Sequence, residues 1–213
     1  AAAARSLRQI PATSPSTLVE SLAPLLSDPV RQVRMDAART LAAFPDAPLS
    51  ETSRVAYIKA LEEYRASEIA NADRPEPHIN LGVLALDQGD PAAAEREYRA
   101  AIRVAPRFGA TYVNLADLYR VQGDEQKTEQ TLRDGIARAP NDPSLHHALG
   151  LALVRQRRVE EALAELRHAA EGSPDNSRFA YVYAVALDST GQRPGAIAAL
   201  KAALNRHPGD RDI

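Results

Sequence analysis

Five histidines, His78, His146, His147, His168 and His207, are the only side chains of this chain suited to metal ligation or to proton transfer near neutral pH. Their spacing argues against a shared centre. His146 and His147 are adjacent, and a helix turns successive side chains by about 100°, so these two face different ways. No His-Glu-x-x-His run, glycine-rich phosphate loop or serine elbow occurs. The paired carboxylates Glu62-Glu63 and Glu160-Glu161 fall on helix surfaces, whereas acid–base catalysis needs apposed carboxyls in a desolvated place. The absence of cysteine excludes disulfides, zinc ribbons and thiol nucleophiles within the chain. The expectation is structural or solvent-facing roles for all five histidines, with no metal, no cofactor and no catalytic residue. The chain is not expected to be an enzyme.

Composition agrees with an interaction role. The 213 residues are 45% hydrophobic and 25% charged, with few aromatics and no Trp, while Ala is abundant. That balance suits closely packed helices better than a β-sandwich. Net charge is -2 and evenly spread: residues 1–74 carry nine basic and nine acidic side chains, and residues 75–213 carry 17 and 19. Arg residues alternate with Asp and Glu along the helical patterns, so no basic stripe invites nucleic acid. No run of 18 apolar residues occurs, so no membrane insertion is expected. Ala1 to Ala4 lack the basic region and long apolar run of a signal peptide, which leaves localisation open.

The elements that must carry any binding residues announce themselves by period. Pro106, Pro140, Pro174 and Pro208 stand 34 residues apart, and each spacing holds two helix-length patterns. In the first helix an apolar residue precedes a small one at Leu81-Gly82, Leu115-Ala116, Leu149-Gly150 and Tyr183-Ala184. In the second, Ala94, Thr128, Ala162 and Ala196 are followed four positions on by Tyr98, Leu132, Leu166 and Leu200. Small residues at fixed places let helix backbones approach, and the larger ones fill the space between turns. Turn chemistry agrees: Gly89-Asp90-Pro91, Gly123-Asp124 and Gly191-Gln192 can each end one helix and start the next. The third repeat has Arg157-Arg158 there, which predicts a tighter or less well-capped turn. The resulting fold class is all-α, a right-handed α-solenoid of helix-turn-helix repeats.

The segments "HINLGVLALDQGDPAAAEREYRAAIRVAP" and "HHALGLALVRQRRVEEALAELRHAAEGSP" resemble tetratricopeptide repeats, and the resemblance extends over four consecutive repeats, 75–108, 109–142, 143–176 and 177–210. The family's usual aromatic near the start of the first helix is replaced by His78 and His146, with Tyr112 the closest match and Ala180 the poorest. Before the repeats, "LLSDPVRQVRMDAARTLAAF" resembles a HEAT repeat, through Asp28-Pro29 and Val33-Arg34, and assigns 1–48 to a HEAT-like helical pair. Pro45 and Pro48 break that pattern, and Ser50 can cap a long connecting helix within 49–74. Its Ala60 and Tyr64 lie 34 residues before Ala94 and Tyr98, in phase with the repeats' second helices. Residues 211–213 would begin a truncated capping helix, which predicts that Ile197, Leu200 and Leu204 are partly uncovered and invite self-association through the last helix.

The tetratricopeptide resemblance implies a concave groove lined by the first helices. Its positions fall on Glu76, Ile79, Val83, Leu86 and Asp87 in the first repeat, and on Val113, Asn114, Asp117 and Arg120 in the second. His147, Leu151, Val154 and Arg155 follow in the third, and Arg178, Tyr181, Val185 and Asp188 in the fourth. The implied partner is a peptide or partner helix. Relatives that clamp a peptide's terminal carboxylate use Lys and Asn where Ile79 and Val83 stand here, and only Asn114 fits, so no carboxylate clamp is expected. The order of a HEAT-like pair, the "EYRASEIANADRPE" helix and the repeats is also similar to the C-terminal region of bacterial multihaem c-type cytochromes. That resemblance implies a periplasmic docking arm whose haem sites lie outside this chain.

Overall fold

The computed structural model describes residues 15–206 and 208. The expected start of a further helix at 211–213 lies outside them, as do His207 and Ala1 to Ala4. Among the described residues all regular structure is helical. The helices are α1 (Pro15–Leu22), α2 (Arg31–Leu41), α3 (Glu51–Ile69), α4 (Pro75–Asp87), α5 (Pro91–Val104) and α6 (Gly109–Val121). They continue as α7 (Glu125–Arg138), α8 (Pro143–Arg155), α9 (Val159–Gly172), α10 (Ser177–Ser189) and α11 (Arg193–Arg206), with a 3₁₀ turn at Ala23–Ser27. Packing divides the chain into two compact bodies, residues 1–104 and 105–213.

In the first body, Leu18, Leu22 and Leu26 meet Ala37, Ala38 and Leu41 of α2, Ala60 and Leu61 of α3, and Leu84 of α4 in one core. The long α3 is therefore a packed wall of that core. Its start follows from Ser50, whose hydroxyl accepts the Ser53 N–H at 3.2 Å and so satisfies one of the amides that a helix start leaves open. Arg34 joins α2 to α3 through Glu63 at 2.8 Å, and Arg39 of α2 pairs with Asp87 at the end of α4.

The second body is built from three helix pairs, α6–α7, α8–α9 and α10–α11. The small residues stand where backbones come closest. A Cβ placed on Gly150 of α8 would lie 2.7 Å from both Cγ and Cδ2 of Leu166 on α9. Leu145, Leu149 and Leu153 line the buried face of α8, and Ala162, Leu166 and Ala169 that of α9. At the last pair Ile197 and Leu204 remain 46% and 45% exposed, and Leu200 is half-buried.

Four turns between paired helices share one hydrogen-bond pattern. At the first, Gly89 N–H donates to Leu86 C=O and Asp90 N–H to Ala85 C=O, both at 2.9 Å. The glycines adopt left-handed φ values of 74°, 79° and 77° at Gly89, Gly123 and Gly191. The turn at Arg157-Arg158 is not tighter, as its sequence predicts, but makes the same two bonds, to Val154 and Leu153, at 3.0 Å each. The chain closes it by forcing Arg157 to φ 62°. The α9 start does lack a side-chain cap. Arg158 instead reaches Glu129 on α7 at 2.6 Å and Glu161 on α9 at 2.7 Å, which ties these two helices together at the surface.

Tyr112 and the histidines at the equivalent positions, His146 and His78, act as latches. Tyr112 O–H donates to the Pro106 carbonyl at 2.8 Å, and His146 Nε2 donates to the Pro140 carbonyl, also at 2.8 Å. His78 makes the same bond to Ala72 at 3.1 Å in the first body. Each donor thus fastens the start of its own helix to the chain six residues upstream.

Candidate functional site

The second body carries a cleft of about 370 Å³ that draws on the first helix of each of its three pairs. Val113, Asp117 and Arg120 come from α6, Ser144, His147, Leu151 and Arg155 from α8, and Arg178 and Phe179 from α10. Residues three and four apart on a helix share a face, which explains why 113, 117 and 120, and 144, 147, 151 and 155, arrive together. Ala116, Ala148, Thr128 and Leu132 complete the lining.

The three arginines of the cleft differ in what holds them. Arg120 Nε donates to Asp117 at 2.7 Å, and Arg155 engages both carboxylate oxygens of Glu125 at 3.0 and 3.3 Å. Arg178 makes no ion pair among the described residues and is exposed. Its charge falls beside the His147 ring, which stacks on Phe179 with centroids 4.4 Å apart and planes 27° from parallel. Burial first, and Arg178 second, hold the His147 pKa below the ordinary imidazole range, so the ring is neutral at pH 7. Its Nδ1 is buried without a hydrogen-bond partner among the described residues. The cleft therefore offers an apolar floor, an aromatic stack and one guanidinium with no ion-pair partner among the described residues.

Of the residues selected from sequence, Val113, Asp117, Arg120, His147, Leu151, Arg155 and Arg178 line this cleft. Asn114 does not, and its amide turns back to the Ala110 carbonyl at 2.8 Å. Val154, Tyr181 and Val185 are exposed on α8 and α10 outside the lining, and Asp188 is exposed near the end of α10. Ile79, Val83, Leu86 and Asp87 belong to α4 of the first body, where Ile79 and Val83 are half-buried and Leu86 is exposed. Asp87 is taken up by Arg39, and Glu76 stands exposed in the first turn of α4. Sequence reasoning missed Phe179, although the aromatic next to Arg178 on a first helix was the available signal.

Repeated antiparallel helix pairs with small residues at the crossings define a helical-repeat protein. Family models described as tetratricopeptide repeat match residues 79–143 and 153–213. The chain is a tetratricopeptide-repeat protein over these stretches. Among solved structures it is similar to MamA, at 18% identity over 76% of this chain and 95% of that one, with a TM-score of 0.56. It is also similar to MamA 41-end from Desulfovibrio magneticus RS-1, at 14% identity over 83% and 97%, with a TM-score of 0.55. At these identities the likeness is one of fold. No curated protein matches the chain.

Proposed function

We propose that the chain is a noncatalytic interaction scaffold and that the cleft of α6, α8 and α10 binds a short segment of a protein partner. The observation that carries this reading is Arg178, without an ion-pair partner among the described residues, in one cleft with the apolar Val113 and Leu151. A segment that offers an apolar side chain to that floor and a carboxylate to Arg178 fits both features, because a charge-assisted bond fixes register while the buried side chain supplies affinity. His147 and Phe179 add a flat aromatic surface against which a backbone or ring can lie. Repeat arrays present extended surfaces of this kind for partner binding.

The test is to pan a display library of random short peptides against the whole protein. Selected peptides are expected to pair Leu, Ile, Phe or Met with a nearby Asp or Glu. Leu151→Lys and Arg178→Glu should each abolish their capture while circular dichroism stays unchanged. Selection of no common pattern, or equal capture by both variants, refutes the reading.

A further inference from the structure

On the other side of α8 a second group of side chains converges. One ring nitrogen each of His146 and His168 and a carboxylate oxygen of Glu165 all lie within 4.8 Å of one another. Glu165 and His168 stand three residues apart on α9 and so share one face, and His146 reaches them from α8. The two imidazole rings meet edge to face, with centroids 5.2 Å apart. We propose that His146, Glu165 and His168 bind one divalent transition-metal ion of the zinc class.

The first argument is preorganisation. His146 Nε2 lies 2.8 Å from the Pro140 carbonyl, and a carbonyl only accepts, so Nε2 carries the hydrogen. That leaves Nδ1 as the ligating nitrogen and fixes the ring plane, the arrangement that outer hydrogen bonds give to metal-bound histidines. Nδ1 stands 2.6 Å from Glu165 Oε2, so a ring nitrogen and a carboxylate oxygen already converge on one place. A metal ion entering there is met by both atoms at once.

The second argument is an internal comparison. His78 in the first body makes the same pair of bonds, Nδ1 to Glu97 at 2.7 Å and Nε2 to the Ala72 carbonyl at 3.1 Å. The His–Glu pair at this spacing is thus a bond of the repeat and needs no metal to explain it. Three residues beyond Glu97 stands Ala100, whereas three beyond Glu165 stands His168. The third ligand is what the fold does not require.

Two imidazoles and one carboxylate form a mixed nitrogen and oxygen set suited to Zn²⁺, Co²⁺ or Ni²⁺ rather than to Mg²⁺ or Ca²⁺. Zinc at about 2 Å from each ligand spaces tetrahedral ligands ~3.3 Å apart, so modest side-chain rotation closes the site. A cleft of about 410 Å³, lined by Pro140, Pro143, His146, His168 and Glu171, gives the ion an entry path. Three protein ligands leave a fourth position for water or for a side chain of a partner.

The experiment uses tag-free protein and Zn²⁺ alone, with isothermal titration calorimetry for affinity and Co²⁺ absorption for geometry. One ion per chain is expected, with the visible bands of four-coordinate Co²⁺. Loss of an outer hydrogen bond weakens metal sites by about 10–100-fold, so His168→Ala should weaken binding by at least about 100-fold. His168 is exposed, and its replacement leaves the core untouched. Glu165→Gln provides the second test, and His78→Asn should leave binding as it is. Absence of stoichiometric binding, or retention of full affinity in both His168→Ala and Glu165→Gln, overturns the proposal.

Discussion

Replacing Arg157 with glycine should stabilise the second body. Arg157 occupies the turn position that Gly89, Gly123 and Gly191 fill elsewhere, and it does so at φ 62° with its side chain exposed and unpaired among the described residues. A residue with a Cβ pays roughly 1–2 kcal/mol in the left-handed region. Glycine removes that cost but adds back roughly 0.5–1 kcal/mol through the greater freedom of the unfolded chain. The net gain is about 0.5–1 kcal/mol, because no side-chain bond is lost in the exchange. The mirror substitution is Gly89→Ala, where no atom lies within 4 Å of the added Cβ, so its cost is conformational. That variant should lose about 0.5–1 kcal/mol through the same two effects. Urea unfolding followed by circular dichroism measures both, with the shift in midpoint at constant slope as the readout. An Arg157→Gly protein no more stable than the parent, or a neutral Gly89→Ala, refutes the claim that this turn is closed at a conformational cost.

Gly150→Ala should destabilise although alanine is the better helix former. The added Cβ meets Leu166 at 2.7 Å, and overpacking of about 1–3 kcal/mol exceeds the ~1 kcal/mol propensity gain, a balance that thermal unfolding reads. Ser50→Ala removes the cap of α3 and should cost about 1 kcal/mol in the first body, measurable as faster amide exchange in 51–54. Tyr112→Phe should cost about 1 kcal/mol by orphaning the Pro106 carbonyl, again read from urea midpoints.

What the sequence made legible was punctuation. Ser50 marks the start of α3, Asp142 caps α8 by accepting the Ser144 N–H at 2.9 Å, and the turn glycines fall where their left-handed φ is needed. These are local effects, decided within four residues. Arg157 misled because two hydrogen bonds to carbonyls at the end of α8 hold the turn in shape and impose the conformation on whatever residue stands there. The cleft was partly legible, since i, i+4 spacing alone brings Val113 to Asp117 and Leu151 to Arg155. Phe179 escaped because its place depends on stacking against His147, a contact between helices 32 positions apart. The group at His146 escaped for a like reason. His78 to Glu97 and His146 to Glu165 are both spaced by 19 residues, and that coincidence was the one signal that the two rings face the second helix.

The latch made by Tyr112 and His146 has no counterpart at Ala180, because a methyl side chain has no hydrogen to donate to a carbonyl six residues upstream. Each repeat of an array opens against its neighbours' grip, so a missing fastener lowers the free energy of local opening there before it lowers the stability of the whole. Amide protons of α10 and α11 should therefore exchange with deuterium ahead of those in α6 to α9. The second body would open first at its unlatched pair, with its latched helices exchanging more slowly.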